Sequence, residues 1–231
     1  LTEDEIQRAK SFFTKPAYKT IDAAADEKTL TEYASAEKAF SNWLKRNVAE
    51  HLMPGYAIVT LSLKPVGIPP GDITDKQLEK LAELADKYSF GEVRTTHEQN
   101  IVFGDVEKAN LYALWGELKV AGFATPNIRT LTDIICCPGG DFCSLANAKS
   151  IPVAEAIQRH FNDLDYLYDL GDLDLNISGC MNACGHHHVG HIGVLGVDKK
   201  GEEFYQIQLG GNAGKETSLG AVLGPSFGRN D

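Results

Sequence analysis

Apolar residues along the first half of the chain recur with two different periods, and the change of period marks out the elements. Thr2-Glu3-Asp4-Glu5 forms a capping box, with the Thr2 hydroxyl set to take a free amide and Glu5 reaching back, so the chain opens on a helix. Phe40, Trp43, Leu44 and Val48 share one helical face and predict a second, stronger helix. Between the two, Ala23-Ala24-Ala25-Asp26-Glu27-Lys28 offers little to a core and reads as a connector. At Gly55 the period drops to two. Tyr56 to Leu63 alternates, is rich in β-branched residues and reads as a strand, ended by Pro65 and the turn Ile68-Pro69-Pro70-Gly71. A second capping box, Thr74-Asp75-Lys76-Gln77, opens a helix whose apolar positions are Leu78, Leu81 and Leu84. Gly91 to Thr96 and Asn100 to Gly104 read as a hairpin. Asp105 reads as the cap of a helix with the stripe Leu111, Leu114, Trp115 and Leu118, stopped by Gly122.

Strand, helix, strand, strand, helix is the order of a small α+β unit of ferredoxin-like character, with helices on one face of an antiparallel sheet. This unit is expected over residues 53–122, after a helical segment over 1–52. Residues 123–231 form a second unit. Its pattern predicts a helix from Ser144 to about Asn162, with Val153, Ile157 and Phe161 four apart and Pro152 at a break or a fresh first turn. A strand over Leu173–Ser178 delivers Gly179-Cys180 at its end. Val189–Val197 and Glu203–Leu209 read as a hairpin joined at Lys199-Lys200-Gly201, and the glycine-rich stretch from Gly210 to Pro225 reads as irregular.

Composition excludes several classes. The 231 residues are 43% hydrophobic and 23% charged, as in an ordinary globular protein. A net charge of -10 leaves no footing for a nucleic-acid surface, which needs clustered Lys and Arg. No apolar run is long enough to span a bilayer, and the acidic start Leu1-Thr2-Glu3-Asp4-Glu5 is unlike a signal peptide, so a cytoplasmic location is expected. The first residue is Leu1 and not Met, which points to processing or to a piece of a longer protein.

The cysteines change the picture most. All five lie between Cys136 and Cys184, as Cys136, the pair Cys137-Pro-Gly-Gly-Asp-Phe-Cys143 and the pair Cys180-Met-Asn-Ala-Cys184. Such clustering in a chain of this size indicates a metal site in a reducing compartment and not a disulfide scaffold. Four thiolates closing on one point hold either an iron-sulfur cluster or a zinc ion. Five residues between Cys137 and Cys143 exceed the two to four of typical zinc knuckles, whereas His186, His187, His188 and His191 offer imidazoles that zinc accepts. Glycine and proline beside the thiols favour a bulky cluster, because they let the backbone come close. Spacing alone leaves both open.

Three segments carry a resemblance to a known family. The cysteine pairs, the second embedded in Ile177-Ser178-Gly179-Cys180-Met181-Asn182-Ala183-Cys184-Gly185, resemble the sirohaem and iron-sulfur motif of the sulfite and nitrite reductase haemoproteins. Arg94-Thr95-Thr96-His97-Glu98-Gln99 is similar to that family's Arg-x-Thr-x-x-Gln segment, and Leu209-Gly210-Gly211-Asn212 to its Leu-Gly-Gly-Asn stretch. The resemblance covers about residues 53–225 and is strongest to the C-terminal half of the bacterial assimilatory sulfite reductases.

It implies an α+β chain in which a helical segment precedes a ferredoxin-like half-domain and then an α/β domain binding sirohaem and a 4Fe-4S cluster. The implied cluster ligands are Cys137, Cys143, Cys180 and Cys184, with Cys184 also bridging to the sirohaem iron. Asn182 and Arg94 are implied partners of the sirohaem carboxylates, which suit amide and guanidinium donors, although Asn182 equally suits a structural turn and Arg94 a pseudo-symmetric remnant satisfied by local hydrogen bonds. The implied reaction is six-electron reduction of sulfite to sulfide, or of nitrite to ammonia, with ferredoxin or a flavoprotein reductase as electron donor. The family carries two copies of these units and this chain one, so an N-terminal half or a second chain is expected to complete the substrate pocket. A different class competes: a non-catalytic, metal-stabilised or electron-transfer module. Cys136 and His97 read as packing and surface residues, and His186 to His188 as polar packing near the cluster.

Overall fold

A computed structural model describes residues 2–13, 16–21 and 23–231; Leu1 lies outside them. Helix α1 spans Glu3–Lys10 and carries the expected box, with the Glu5 amide donating to Thr2 Oγ1 at 3.3 Å and the Thr2 amide to Glu5 Oε2 at 2.8 Å. Helix α2 spans Ala23–Ala36, where a connector was expected. Alanine has the highest intrinsic helix propensity, and Leu30 is enough to tie this helix to a core. Helix α3, Lys38–Asn47, buries Phe40 and Trp43. It stops one residue before Val48, which instead starts the short strand β1, Val48–Glu50.

Strand β2 (Tyr56–Leu61), helix α4 (Asp75–Tyr88), β3 (Arg94–Thr95), β4 (Ile101–Glu107) and α5 (Leu111–Ala121) complete the first unit. Its sheet has the order β1-β2-β4-β3 and is antiparallel throughout. Helix α4 is capped by Thr74 and Gln77 and buries Leu81, Leu84, Ala85 and Tyr88. Leu78 was expected on that stripe, yet it is 52% exposed. Asp105 does not cap α5. Pairing with β2 carries β4 on to Glu107, which leaves Asp105 buried inside the strand, where Tyr18 Oη donates to it at 2.5 Å. Asn110 takes the cap position, and Gly122 at φ 85° ends the helix.

The second unit has a five-stranded sheet in the order β5-β6-β7-β8-β9, formed by Ile135–Cys136, Leu175–Ser178, Ile192–Lys199, Glu202–Leu209 and Ala221–Val222. The first three strands are parallel and the last three antiparallel. Helices α6 (Ile151–His160) and α7 (Leu164–Leu170) make the crossover from β5 to β6. Helix α6 starts at Ile151, with Pro152 in its first turn, and not at Ser144. Residues 144–150 stay irregular because their backbone is needed elsewhere: the amides of Asn147 and Ala148 both donate to the Gly179 carbonyl, at 2.9 and 3.0 Å. Lys200 and Gly201, at φ 58° and 86°, make the tight turn between β7 and β8. The glycine-rich tail is more ordered than expected, since it contains β9 and an Asn212–Ser218 bridge.

Buried polar contacts join the two units. Lys64 is fully buried, and its Nζ lies 2.7 Å from Asp133 Oδ1 and donates also to the Glu98 carbonyl. Asn127 Nδ2 donates to the Lys64 carbonyl at 3.1 Å, and Asn47 Nδ2 to the carbonyls of Thr60 and Thr125 at 2.9 and 3.2 Å. At the rim, Arg46 pairs with Asp172 at 2.6 Å and Lys38 with Asp165 at 3.0 Å. Among the described residues no helix is long and apolar enough to cross a membrane.

Candidate metal centre

Parallel strands β5 and β6 end side by side, and each runs straight into one of the cysteine loops. The Cys137 amide donates to the Ile177 carbonyl at 3.1 Å, so the first loop leaves the sheet in register with the second. Two residues on, the Gly179 amide donates to Cys137 Sγ at 3.0 Å. Amide donors of this kind stabilise a thiolate and tune any metal it holds. Ser150 Oγ stands 3.6 Å from the same sulfur. The Cys143 amide donates to the Gly139 carbonyl at 2.9 Å and closes the first loop; the Ala183 amide donates to the Cys180 carbonyl at 3.1 Å and turns the second.

Glycine is required where these loops meet. A Cβ on Gly179 would stand 2.7 Å from the Ala148 carbonyl oxygen and 2.8 Å from Gly139 Cα. One on Gly185 would stand 2.1 Å from the Ile177 carbonyl oxygen, and the Gly185 amide donates to Ser178 Oγ at 3.1 Å. The loops are therefore packed backbone against backbone at the ends of two strands. Four cysteines are carried by this nest, with Cys180 buried, Cys137 and Cys143 half-buried and Cys184 exposed.

Large apolar side chains stand in the open on the same loops. Phe142 and Met181 are each 83% exposed, and Leu145 is 70% exposed. Asn182, at the tip of the second loop, is exposed as well. Among the described residues no three His, Cys, Asp or Glu side chains are grouped to hold a single metal ion. The free thiols, the amide aimed at Cys137 and the glycine cradle fit a 4Fe-4S cluster.

The remaining predicted residues lie apart or in packing roles. Cys136 is a core residue; burial first, and then the neighbouring Cys137 and Asp141, push its thiol far above the usual range. His187 is buried with Nδ1 unpartnered, and burial, followed by the charge of His188, lowers its pKa. His191 Nδ1 accepts the Asp174 amide at 2.9 Å. His97 is exposed beside Glu98. Arg94, on edge strand β3, is engaged by Glu92 at 3.0 Å. Sequence reasoning did not single out Lys64 or Ser150, and it met Gln99 only as the last residue of the Arg-x-Thr-x-x-Gln resemblance, without a role. A hint lay in Leu61-Ser62-Leu63-Lys64-Pro65, where a lysine continues a strand that is otherwise apolar or small.

Two family descriptions match the chain, and the break between them falls between the two sheets. Residues 65–121 match the nitrite/sulfite reductase ferredoxin-like half domain, and residues 127–228 match the nitrite and sulphite reductase 4Fe-4S domain. The chain belongs to the nitrite/sulfite reductase family. Its relatives include the chloroplastic ferredoxin–nitrite reductase of Betula pendula, 32% identical over 69% of this chain and 28% of that protein. That of Spinacia oleracea is 29% identical over 87% of this chain and 34% of its own length. The chain thus spans about a third of these relatives. Among solved structures, the Mycobacterium tuberculosis NirA protein superposes with a TM-score of 0.63 at 24% identity, over 80% of this chain and 34% of that one. Dissimilatory sulfite reductase I superposes with a TM-score of 0.60 at 12% identity, over 97% and 78% of the two chains. These two similarities show a shared fold. The family's members are oxidoreductases, and the 4Fe-4S domain it names includes both cysteine loops.

Proposed function

We propose that this chain is the 4Fe-4S- and sirohaem-binding part of a reductase that takes nitrite to ammonia, with ferredoxin as the electron donor. The observation that carries the reading is the meeting of the two cysteine loops at the ends of β5 and β6, with the Gly179 amide on Cys137 Sγ. Nitrite and ferredoxin are favoured by the names of the relatives in birch and spinach. Sulfite reduction to sulfide, which the sequence resemblance implied, is the second reading, favoured by the fold shared with dissimilatory sulfite reductase I.

In this reading Cys137, Cys143, Cys180 and Cys184 hold the cluster. When bound, the cluster and sirohaem would supply one-electron redox chemistry, passing on singly the six electrons that the reduction needs. The chain's own residues orient and tune. The Gly179 amide withdraws charge from the Cys137 sulfur, the exposed Cys184 is the thiolate free to face a second group, and Phe142, Leu145 and Met181 offer an apolar floor. In this reading the exposed Asn182 donates to a macrocycle carboxylate, while Arg94 takes that role only by leaving Glu92. A second chain or further segment supplying cations for the anion belongs to the same proposal.

Anaerobic reconstitution tests it. The chain is expected to bind about four irons and four sulfides, and Cys180→Ser to bind fewer than half as many. With sirohaem added, a Soret band should appear and change in Cys184→Ser. A colourless protein that takes up zinc and no iron sinks the reading. Ammonia and sulfide release under a chemical reductant then ranks nitrite against sulfite by kcat/KM; a higher value for sulfite overturns the choice of nitrite.

A further inference from the structure

The loop Thr96–Asn100 belongs to the first unit, yet one of its side chains is spent wholly on the second. In the parallel pairing of β5 with β6, the Cys137 amide points towards β6, so the N–H and C=O of Cys136 point the other way, off the free edge of the sheet. The Gln99 carboxamide meets both: Oε1 accepts the Cys136 amide at 2.8 Å, and Nε2 donates to the Cys136 carbonyl at 2.8 Å. A planar carboxamide offers a donor and an acceptor side by side, so it pairs with the edge as a neighbouring strand would.

The loop behind Gln99 is anchored on both flanks. The Glu98 carbonyl takes the buried Lys64 ammonium. Asn100 Nδ2 donates to Asp133 Oδ1 at 3.0 Å, and Asn100 Oδ1 accepts the Leu63 amide at 3.2 Å. Gln99 sits at φ 59°, a left-handed conformation that residues with a side chain seldom adopt. Strain held by surrounding bonds and directed at one target indicates a purpose. That target is one residue from Cys137, whose sulfur is 3.0 Å from the Gly179 amide.

We infer that Gln99 is a positioning residue for the metal centre: by clamping the Cys136 backbone, it fixes where the Cys137 thiol stands relative to the Cys180–Cys184 loop. The first unit then serves as a gauge against which the metal-binding loop is set. This inference rests on the cluster reading of the cysteine site.

The test uses the whole chain, as wild type, Gln99→Leu, Gln99→Glu and Arg46→Met, after anaerobic iron and sulfide reconstitution. Arg46→Met controls for general loosening between the units, since its ion pair with Asp172 lies away from the loop. With excess ferrous chelator, Gln99→Leu should release iron roughly tenfold faster than wild type, the factor that two ordinary hydrogen bonds allow. Gln99→Glu retains only the accepting half of the clamp and should fall between, with altered EPR g-values in the reduced state of both Gln99 variants. Arg46→Met should match wild type. Wild-type release rates and g-values in both Gln99 variants overturn the inference, as does equal acceleration in Arg46→Met. If Gln99→Leu does not fold, Gln99→Glu decides. A second measurement needs no iron: in the metal-free chain the Cys136 amide should resist hydrogen exchange, and Gln99→Glu should leave it protected. Exchange at the rate of an unpaired edge amide in wild type refutes the clamp. A wild type that binds no iron but protects this amide refutes the cluster reading and leaves the clamp standing.

Discussion

Lys64 shows how a single residue can contradict its own chemistry. An ammonium with no exposure to water is tolerable only when paired and fully bonded, and Asp133 with the Glu98 carbonyl meets that need. Asp133 in turn receives Asn100 Nδ2 and the Arg129 amide, so the pair is the centre of a network and not an isolated bridge. Replacing Lys64 by Met strands a carboxylate in the seam and should destabilise the chain by about 3–5 kcal/mol in urea denaturation. Adding Asp133→Asn should recover part of that loss, because the uncompensated charge is removed. Equal stability of Lys64→Met and wild type would show that water already serves Asp133. Asp105 is a second residue whose role reverses between sequence and fold. Acidic residues before a helix favour the cap, but strand pairing outweighs that preference and leaves the carboxylate inside.

One side chain gathers several of the polar contacts between helices α4 and α5. Glu117 on α5 accepts Lys87 Nζ at 2.7 Å and Tyr88 Oη at 2.8 Å, with Lys80 of the same helix at 3.4 Å. Led by the Lys87 bond and then that of Tyr88, these hold its carboxyl at about 2, below its ordinary 4.5. A depressed folded pKa adds stability that is complete above the unfolded value and disappears as pH falls through the folded one. Stability should therefore decline between about pH 4.5 and about 2, and Glu117→Gln should flatten that decline in acid-titrated denaturation curves. A slope unchanged by Glu117→Gln assigns the acid sensitivity to other groups. Elements like these were readable where local chemistry decides them: the Thr2 and Thr74 boxes, the Gly122 stop and the Lys200-Gly201 turn all stand as the sequence pattern predicts. Those that depend on distant partners were not. Val48 leaves its helix to pair with Val59, Leu78 has no neighbour to bury it, and residues 144–150 give up helical bonding to serve Gly179. The cysteine pairs stood out by spacing, whereas the Arg-x-Thr-x-x-Gln segment marked Gln99 without its target, because the clamp joins residues 37 apart in sequence.

At the scale of the molecule, two cores share one buried polar seam. Both tryptophans, Trp43 and Trp115, belong to the first core, so their fluorescence reports that unit alone. Exchange protection of β7 and β8 reports the other. With Lys64, Asn127, Asn47 and Gln99 all bonded across the seam, the two signals should lose structure at one urea concentration, and Lys64→Met should separate them. Two midpoints in the wild type would show that the units unfold independently. Cooperation of this kind means that the metal-binding unit inherits its rigidity from a neighbour that carries none of the cysteines.

The close approach at Gly179 and Gly185 has a consequence for descent. A side chain at Gly185 drives into the Ile177 carbonyl of the sheet, and one at Gly179 into the Ala148 carbonyl and the Gly139 backbone, so no single replacement there is a small step. Lineages of this fold can lengthen, shorten or recolour the outer face of the cysteine loops, at Phe142, Leu145, Met181 or Asn182, while the inner hinge admits no intermediate forms. Change is thereby easier at the rim than at the hinge, where any added side chain costs a rearrangement of the backbone around it.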